Sequence, residues 1–241
     1  RGRCRACAGS CRCSAARIVR AHRAVAAHAP AGGRVLDFGS YFGNFALALR
    51  AGGFRVDAVD SYAAYGGSLS GCVSLMRDAG IAVHDFGDDS ATLDGLTGQF
   101  EAIVCAGVVE HIPHTPRLLL ERLTRLLKPG GVLVMDTPNL AYLYHRLALL
   151  EGRSMFAPLA GQYHTELPFE GHHREYTVAE VKWMLEAAGH EVLSLDTFNY
   201  SVFAQSRLEG EHLSYHRAML ADPSLRELIV SVSRPLPASP A

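Results

Sequence analysis

No stretch of this sequence comes near the roughly 18 consecutive apolar residues that a membrane-crossing helix requires. The start likewise lacks the continuous apolar core of a secretory signal. A cytoplasmic enzyme is therefore the plain expectation, with peripheral contact to a membrane left open. Acidic residues are missing from residues 1–23, which carry seven Arg. Taken from a formal net charge of −1, these leave about −8 on the rest of the chain. A body of that sign lacks the clustered Lys and Arg of a broad nucleic-acid surface, so no nucleic-acid partner is expected. Internal repeats are absent. None of His111, His114, His172 and His173 stands in a tight metal-binding spacing such as His-x3-His, and no metal is expected.

What is present is ordinary for a globular chain. Hydrophobic residues make up 49% and charged residues 20% of 241 positions, enough to bury one substantial core. The expected organisation is a disordered Arg- and Cys-rich segment at 1–13, one domain at 14–234, and a disordered Pro- and Ser-rich tail at 235–241. Cys72 and Cys105 stand among apolar neighbours and read as buried thiols. Cys4, Cys7, Cys11 and Cys13 could offer zinc four thiolates. Structural zinc sites separate two ligand pairs by a loop, however, and this spacing leaves little room for one.

The chain is organised around the stretch from Arg34 to Leu49. Val35, Leu36 and Phe38 form an apolar run of strand length, Gly39 and Gly43 bracket a sharp turn, and Phe45 to Arg50 opens a helix. Strand, glycine turn and helix in that order suit a nucleotide or nucleoside, because glycine lets backbone approach a ligand closely. A second strand, Phe54 to Val59, closes on Asp60, where a carboxylate can accept hydrogen bonds from two ribose hydroxyls. Upstream, Ser14 is expected to cap a helix through Ile18 and Val25 that Pro30 ends. Downstream, strands are predicted at Ile81 to Val83, Phe100 to Gly107 and Val132 to Asp136, with Thr115 and Pro116 opening a helix before the last of these. Thr177 and Glu180 form a capping box for a helix carrying Trp183, Met184 and Ala187. Glu191 to Phe198 and Leu228 to Val232 complete the strands. Near-continuous apolar strands between helices imply a parallel sheet covered on both faces.

Residues 140–176 are the least regular part. Tyr142, Leu143, Leu147 and Leu150 predict one helical face, and Gly152, Pro158, Gly161 and Pro168 interrupt anything longer. The segment ends in Gly171-His172-His173-Arg174-Glu175-Tyr176.

Val35-Leu36-Asp37-Phe38-Gly39-Ser40-Tyr41-Phe42-Gly43 resembles the first motif of the class I methyltransferases that use S-adenosylmethionine, with Tyr41 in place of its middle glycine. Val109-Glu110-His111-Ile112 resembles that family's signature after the fourth strand. Leu127-Lys128-Pro129-Gly130-Gly131 and Thr137-Pro138-Asn139 flank the fifth strand as they do there. The resemblance covers roughly residues 34–234. It implies a Rossmann-like, doubly wound α/β fold: a seven-stranded sheet in the order 3-2-1-4-5-7-6, the last strand antiparallel, with 140–176 as an acceptor-side insertion. A helix before the first strand often covers the cofactor in this family. S-adenosylmethionine is the implied cofactor, bound by Asp37, Gly39, Ser40, Tyr41 and Gly43 in the first motif and by Asp60 and Ser61 after the second strand. Asp85 would meet the adenine amino group, Phe86 the ring, and Cys105 and Ala106 would close the site from the fourth strand.

Methyl transfer from a sulfonium is an in-line displacement by an acceptor whose proton a nearby base can take. His111 is the first candidate for that base, since it follows the fourth strand at the sheet edge where ligands bind; a histidine there can equally hold its loop. His172, His173, Arg174 and Tyr176 are expected on the acceptor side, with His164 secondary, and Glu110 reads as structural. Tyr62, Tyr65, Tyr142 and Tyr163 are candidates for the acceptor's walls. The expected acceptor is a small metabolite, a quinone precursor, or a glycan or lipid intermediate, methylated on oxygen. Two other readings stay open. One is a binding module that kept the fold and lost catalysis, which Tyr41 allows. The other is a nicotinamide dehydrogenase, since Asp60 serves either ligand, although the later motifs have no place in a dinucleotide pattern.

Overall fold

Apolar runs too continuous for a half-exposed strand become the centre of a sheet buried on both faces. In order the strands are β1 (Arg34–Phe38), β2 (Arg55–Asp60), β3 (Ala82–Asp85), β4 (Phe100–Ala106), β5 (Leu127–Pro138), β6 (His190–Phe198) and β7 (Leu228–Pro235), of which β3 and β6 at the two edges are only partly buried. The computed structural model describes residues 5–86, 91–156, 158–165, 171–201 and 209–237. The strands form one sheet in the order β3-β2-β1-β4-β5-β7-β6. The first five run parallel to one another, and β7 runs antiparallel to both β5 and β6. This is the order and the strand sense implied by the resemblance.

The helices are α1 (Arg5–His28), α2 (Asn44–Ala51), α3 (Ser70–Asp78), α4 (Ala91–Asp94), α5 (Pro116–Leu126), α6 (Leu143–Leu150), α7 (Leu159–Tyr163), α8 (Val178–Ala187) and α9 (Glu211–Ala221). They bury the sheet under two cores. Leu119, Leu120, Leu123 and Leu126 of α5 join Val181 and Leu185 of α8 in one. Ala21 and Val25 of α1 join Ala46 and Leu49 of α2 in the other. Thr115 caps α5 by accepting the Arg117 N–H, with Pro116 in the first turn. Thr177 and Glu180 exchange both bonds of the expected capping box.

Several boundaries differ from the sequence expectation. The first helix starts at Arg5 and not at Ser14, so much of the segment expected to be disordered is helical; Ala and Arg are strong helix formers. Cys4 and the side chains of Cys7, Cys11 and Cys13 lie outside the described residues, as does Pro168. Strand β7 runs on to Pro235, which pairs with His190, so the sheet includes the first residue assigned to the tail; 238–241 lie outside the described residues. In α6 the predicted apolar face is realised in part: Tyr142, Leu143 and Leu147 are half-buried and Ala148 is buried, but Leu150 is 84% exposed. The segment leaves and returns at one point, where Asn139 bridges Tyr176 and the Leu140 N–H donates to the Tyr176 carbonyl at 2.9 Å.

His190 gives the fold a pH dependence. It is buried, with Nε2 2.8 Å from Thr124 Oγ1 and Nδ1 3.0 Å from Ser233 Oγ. The Thr124 hydroxyl donates to the Leu120 carbonyl, so it accepts from Nε2–H, and the ring is held neutral. Burial lowers its pKa from 6.5 to about 4. The unfolded chain therefore binds more protons between these values. The stability that His190 contributes is full above pH 6.5 and is lost on acidification by at most roughly 3 kcal/mol; Asp37 and Glu110, whose carboxyl pKa values are raised, act in the opposite sense over the same range. The stability difference between wild type and His190→Gln in urea unfolding should therefore be smaller at pH 4.5 than at pH 7. An equal difference at the two pH values would exclude this role for His190.

Candidate active site

Parallel strands deliver the loops after β1, β2 and β4 to the same sheet edge. There they enclose a cavity of about 660 Å³. The β1 loop is shaped by its glycines. Gly39 has φ +74, and a Cβ on it would stand 2.3 Å from Val108 Cγ2, so only glycine lets this backbone lie against the β4 loop. Gly43, with φ +75, is packed the same way against Met76 Sδ and lies behind the cavity wall. Asp37 also lies behind it, fully buried. Its Oδ2 accepts the Ala46 N–H at 2.9 Å, which holds the start of α2, and burial pushes its carboxyl up to about 7. Ser40 lines the cavity and shares a hydrogen bond with the Tyr62 hydroxyl.

Asp60 stands at the tip of β2 on the cavity wall. Its Oδ2 accepts the Tyr41 N–H and its Oδ1 the Ser61 N–H, each at 2.7 Å, with the Tyr65 hydroxyl 3.4 Å from Oδ1. Burial, and then the nearby Asp85, raise its pKa. Among the described residues Tyr41 is the non-glycine residue with positive φ, at 47°, a conformation costing a side-chain-bearing residue about 1–2 kcal/mol. Phe86 lines the cavity beside Phe38, with the Arg122 guanidinium over its ring. Asp85 is not at the wall; it is exposed and accepts the Ala63 N–H at 3.0 Å. From β4, Ala106 reaches the cavity while Cys105 is buried beneath it, its thiol pKa pushed up by burial.

The turn after β4 carries Glu110 and His111, and the end of the 140–176 segment brings His172 to them. The backbone is tied directly, since the His173 N–H donates to the Glu110 carbonyl at 2.7 Å. One donor atom from each of Glu110, His111 and His172 falls within 4.8 Å of the others, and the two imidazole rings meet edge-on at 4.7 Å. His172 Nδ1–H donates to Glu175 Oε1 at 2.7 Å, and this bond raises the imidazole pKa. His111 Nδ1 lies 3.3 Å from the Gly171 carbonyl, which only accepts. Both contacts place the ring proton on Nδ1 and the lone pair on Nε2. Glu110 is 2% exposed and accepts the Thr137 hydroxyl at 3.1 Å; burial, then Asp136, push its pKa up to about 7. One carboxylate and two imidazoles can receive a hydroxyl proton, and they are also a donor set that divalent metals accept. The histidine spacing along the chain showed no sign of this convergence.

Of the other acceptor-side residues, His173, Arg174 and Tyr176 do not line the cavity. Arg174 pairs with Glu180 at 2.6 Å, and Tyr176 is buried at the neck of the inserted segment. Tyr65 lines the cavity, whereas Tyr163 is 78% exposed. Arg17 was missed. From α1 it enters the cavity wall and makes a two-pronged bond to Asp136, Nε–Oδ2 at 3.1 Å and Nη2–Oδ1 at 2.5 Å. Its signal was a basic residue on a helix already expected to cover the cofactor.

The profile of a methyltransferase-domain family matches residues 12–195. The chain belongs to that family. It is an S-adenosylmethionine-dependent methyltransferase, and between an S-adenosyl cofactor and a nicotinamide dinucleotide the family membership decides for the former. The methyltransferase is 29% identical over 204 residues to a ubiquinone biosynthesis O-methyltransferase of Xanthomonas axonopodis pv. citri (strain 306), a match covering 77% of this chain and 76% of the relative. Its fold is similar to that of a SAM-dependent methyltransferase from Archaeoglobus fulgidus, with 16% identity and a TM-score of 0.58 over 90% of this chain and 91% of that one. It is also similar to that of a Burkholderia thailandensis 1,6-didemethyltoxoflavin-N1-methyltransferase with bound S-adenosylhomocysteine. There the identity is 15% and the TM-score 0.55, over 91% of this chain and 78% of that one.

The site of the methyltransferase fits its cofactor on its own geometry. The Asp60 carboxylate stands on the wall, Gly39 brings backbone close to the β4 loop, and Phe38 and Phe86, packed together, give the wall an apolar surface. Among the described residues, no helix is long and apolar enough to cross a membrane.

Proposed function

We propose that this methyltransferase moves the methyl group of S-adenosylmethionine onto a hydroxyl oxygen of a small, largely apolar acceptor, of the quinone-precursor kind or a related lipid or glycan intermediate. The observation that carries this reading is the convergence of Glu110, His111 and His172 on the cavity that Asp60 also lines. The cofactor supplies an already activated methyl group, so the protein has mainly to align the acceptor oxygen and remove its proton. His111 takes that proton on Nε2. Glu175 keeps His172 in the matching tautomer, which offers the acceptor a second hydrogen-bond partner. Pro138, Leu118 and Leu228 add apolar wall for a ring. Asp60 and Ser61 hold the ribose, and Phe86 packs against the base. The inserted segment 140–176 closes over the acceptor, because His172 belongs to it and its two ends meet at one bridge.

The name of the Xanthomonas relative supports oxygen as the methylated atom. The toxoflavin N1-methyltransferase has a similar fold, so the fold by itself does not choose the atom. The test is incubation with methyl-labelled S-adenosylmethionine and a panel of ortho-diphenols, aliphatic alcohols and amines. Label is expected in an aryl methyl ether. Transfer to amines with none to any hydroxyl would overturn the reading.

A further inference from the structure

The turn after β1 holds a side chain that its own backbone disfavours. Tyr41 has φ 47, a conformation that glycine adopts freely. The bond from its N–H to Asp60 Oδ2 belongs to the main chain and would form with any residue there, so the turn does not require the ring. Burial does not explain it either, because Tyr41 is 43% exposed. Its ring meets Phe42 at a centroid distance of 4.0 Å and Tyr65 at 5.3 Å. These three aromatic residues line the cavity with Asp60 and Ser61, and the Tyr65 hydroxyl approaches Asp60 Oδ1. A ring kept against local preference, half in solvent, beside a ligand carboxylate, is placed for a ligand.

We propose that Tyr41 is a cofactor-retaining residue. With Phe42 and Tyr65 it forms an aromatic wall that closes over the ribose edge of bound S-adenosylmethionine or S-adenosylhomocysteine. The wall keeps water from the hydrogen bonds to Asp60 and slows release of the nucleoside. Aromatic faces suit this task because they cover the apolar face of a sugar while excluding solvent. The proposal rests on the placement of the ribose hydroxyls at Asp60.

Stopped-flow dissociation of S-adenosylhomocysteine, read with the melting temperature of the ligand-free protein, tests it. Tyr41→Gly should release the ligand roughly tenfold faster. The ligand-free protein should melt no lower than wild type, because glycine relieves the backbone. Tyr41→Phe keeps the ring and should release the ligand at close to the wild-type rate. A Gly variant with unchanged release would overturn the proposal. So would one that melts lower with unchanged release, since the ring would then serve only to pack the loop. Wild-type protein that bound neither nucleoside would overturn the methyltransferase reading together with this one, which separates the two failures.

Discussion

Asp60→Ala is expected to weaken S-adenosylmethionine binding by roughly tenfold to a hundredfold, since hydrogen bonds to a charged acceptor are worth about 1.5–3 kcal/mol. The carboxylate reaches the cavity wall with both oxygens already oriented by the Tyr41 and Ser61 N–H groups. No ion pair to Asp60 appears among the described residues, and burial raises its pKa, so the substitution removes no salt bridge that the fold depends on. Asp60→Asn keeps one acceptor oxygen and should fall between wild type and Ala. Calorimetry reads the affinities directly. Equal affinity in the Ala variant would remove Asp60 from the ribose site.

For His111→Ala the expected effect falls on turnover. A positioned general base contributes roughly a hundredfold to ten-thousandfold, so kcat should drop by that order while cofactor affinity stays near wild type. The division follows from position: His111 and Glu110 sit in the turn after β4, where His172 reaches them, while Asp60, Ser61 and Phe86, proposed to hold the nucleoside, lie at or just after the ends of β2 and β3. Single-turnover methylation with saturating cofactor would measure it. If the variant lost cofactor binding as fully as turnover, His111 would be holding the β4 turn in shape, and its Nδ1 contact to Gly171 would be the reason.

Much of the β1 turn that lines the cavity was legible in the chain because it is local. A strand, a glycine turn and a helix occupy consecutive residues from Arg34 to Ala51, and glycine positions and apolar runs are read one after another. The caps of α5 and α8 were legible for the same reason, since each involves residues two or three apart. Where the motif departs from glycine, at Tyr41, the chain marked the exception, but only the structure showed the strained φ and the ring contacts.

What depends on the path of the chain was decided by tertiary structure alone. Arg17 meets Asp136 across 119 residues, and His111 meets Gly171 across 60, distances over which no periodicity or spacing carries information. Asp37 and Cys105 look alike in sequence with the residues that reach the cavity. The pleat sends successive side chains to opposite faces, and both are buried where Phe38 and Ala106, one position later, line the wall. Arg174 reads as a polar contact for an acceptor until the fold turns it to Glu180 on α8. Leu150 reads as the end of one apolar helix face until the inserted segment is seen to leave the sheet and return to one bridge, with that residue exposed. Local chemistry is written in neighbouring residues; which distant groups share a cavity is settled only when two cores pack a seven-stranded sheet between them.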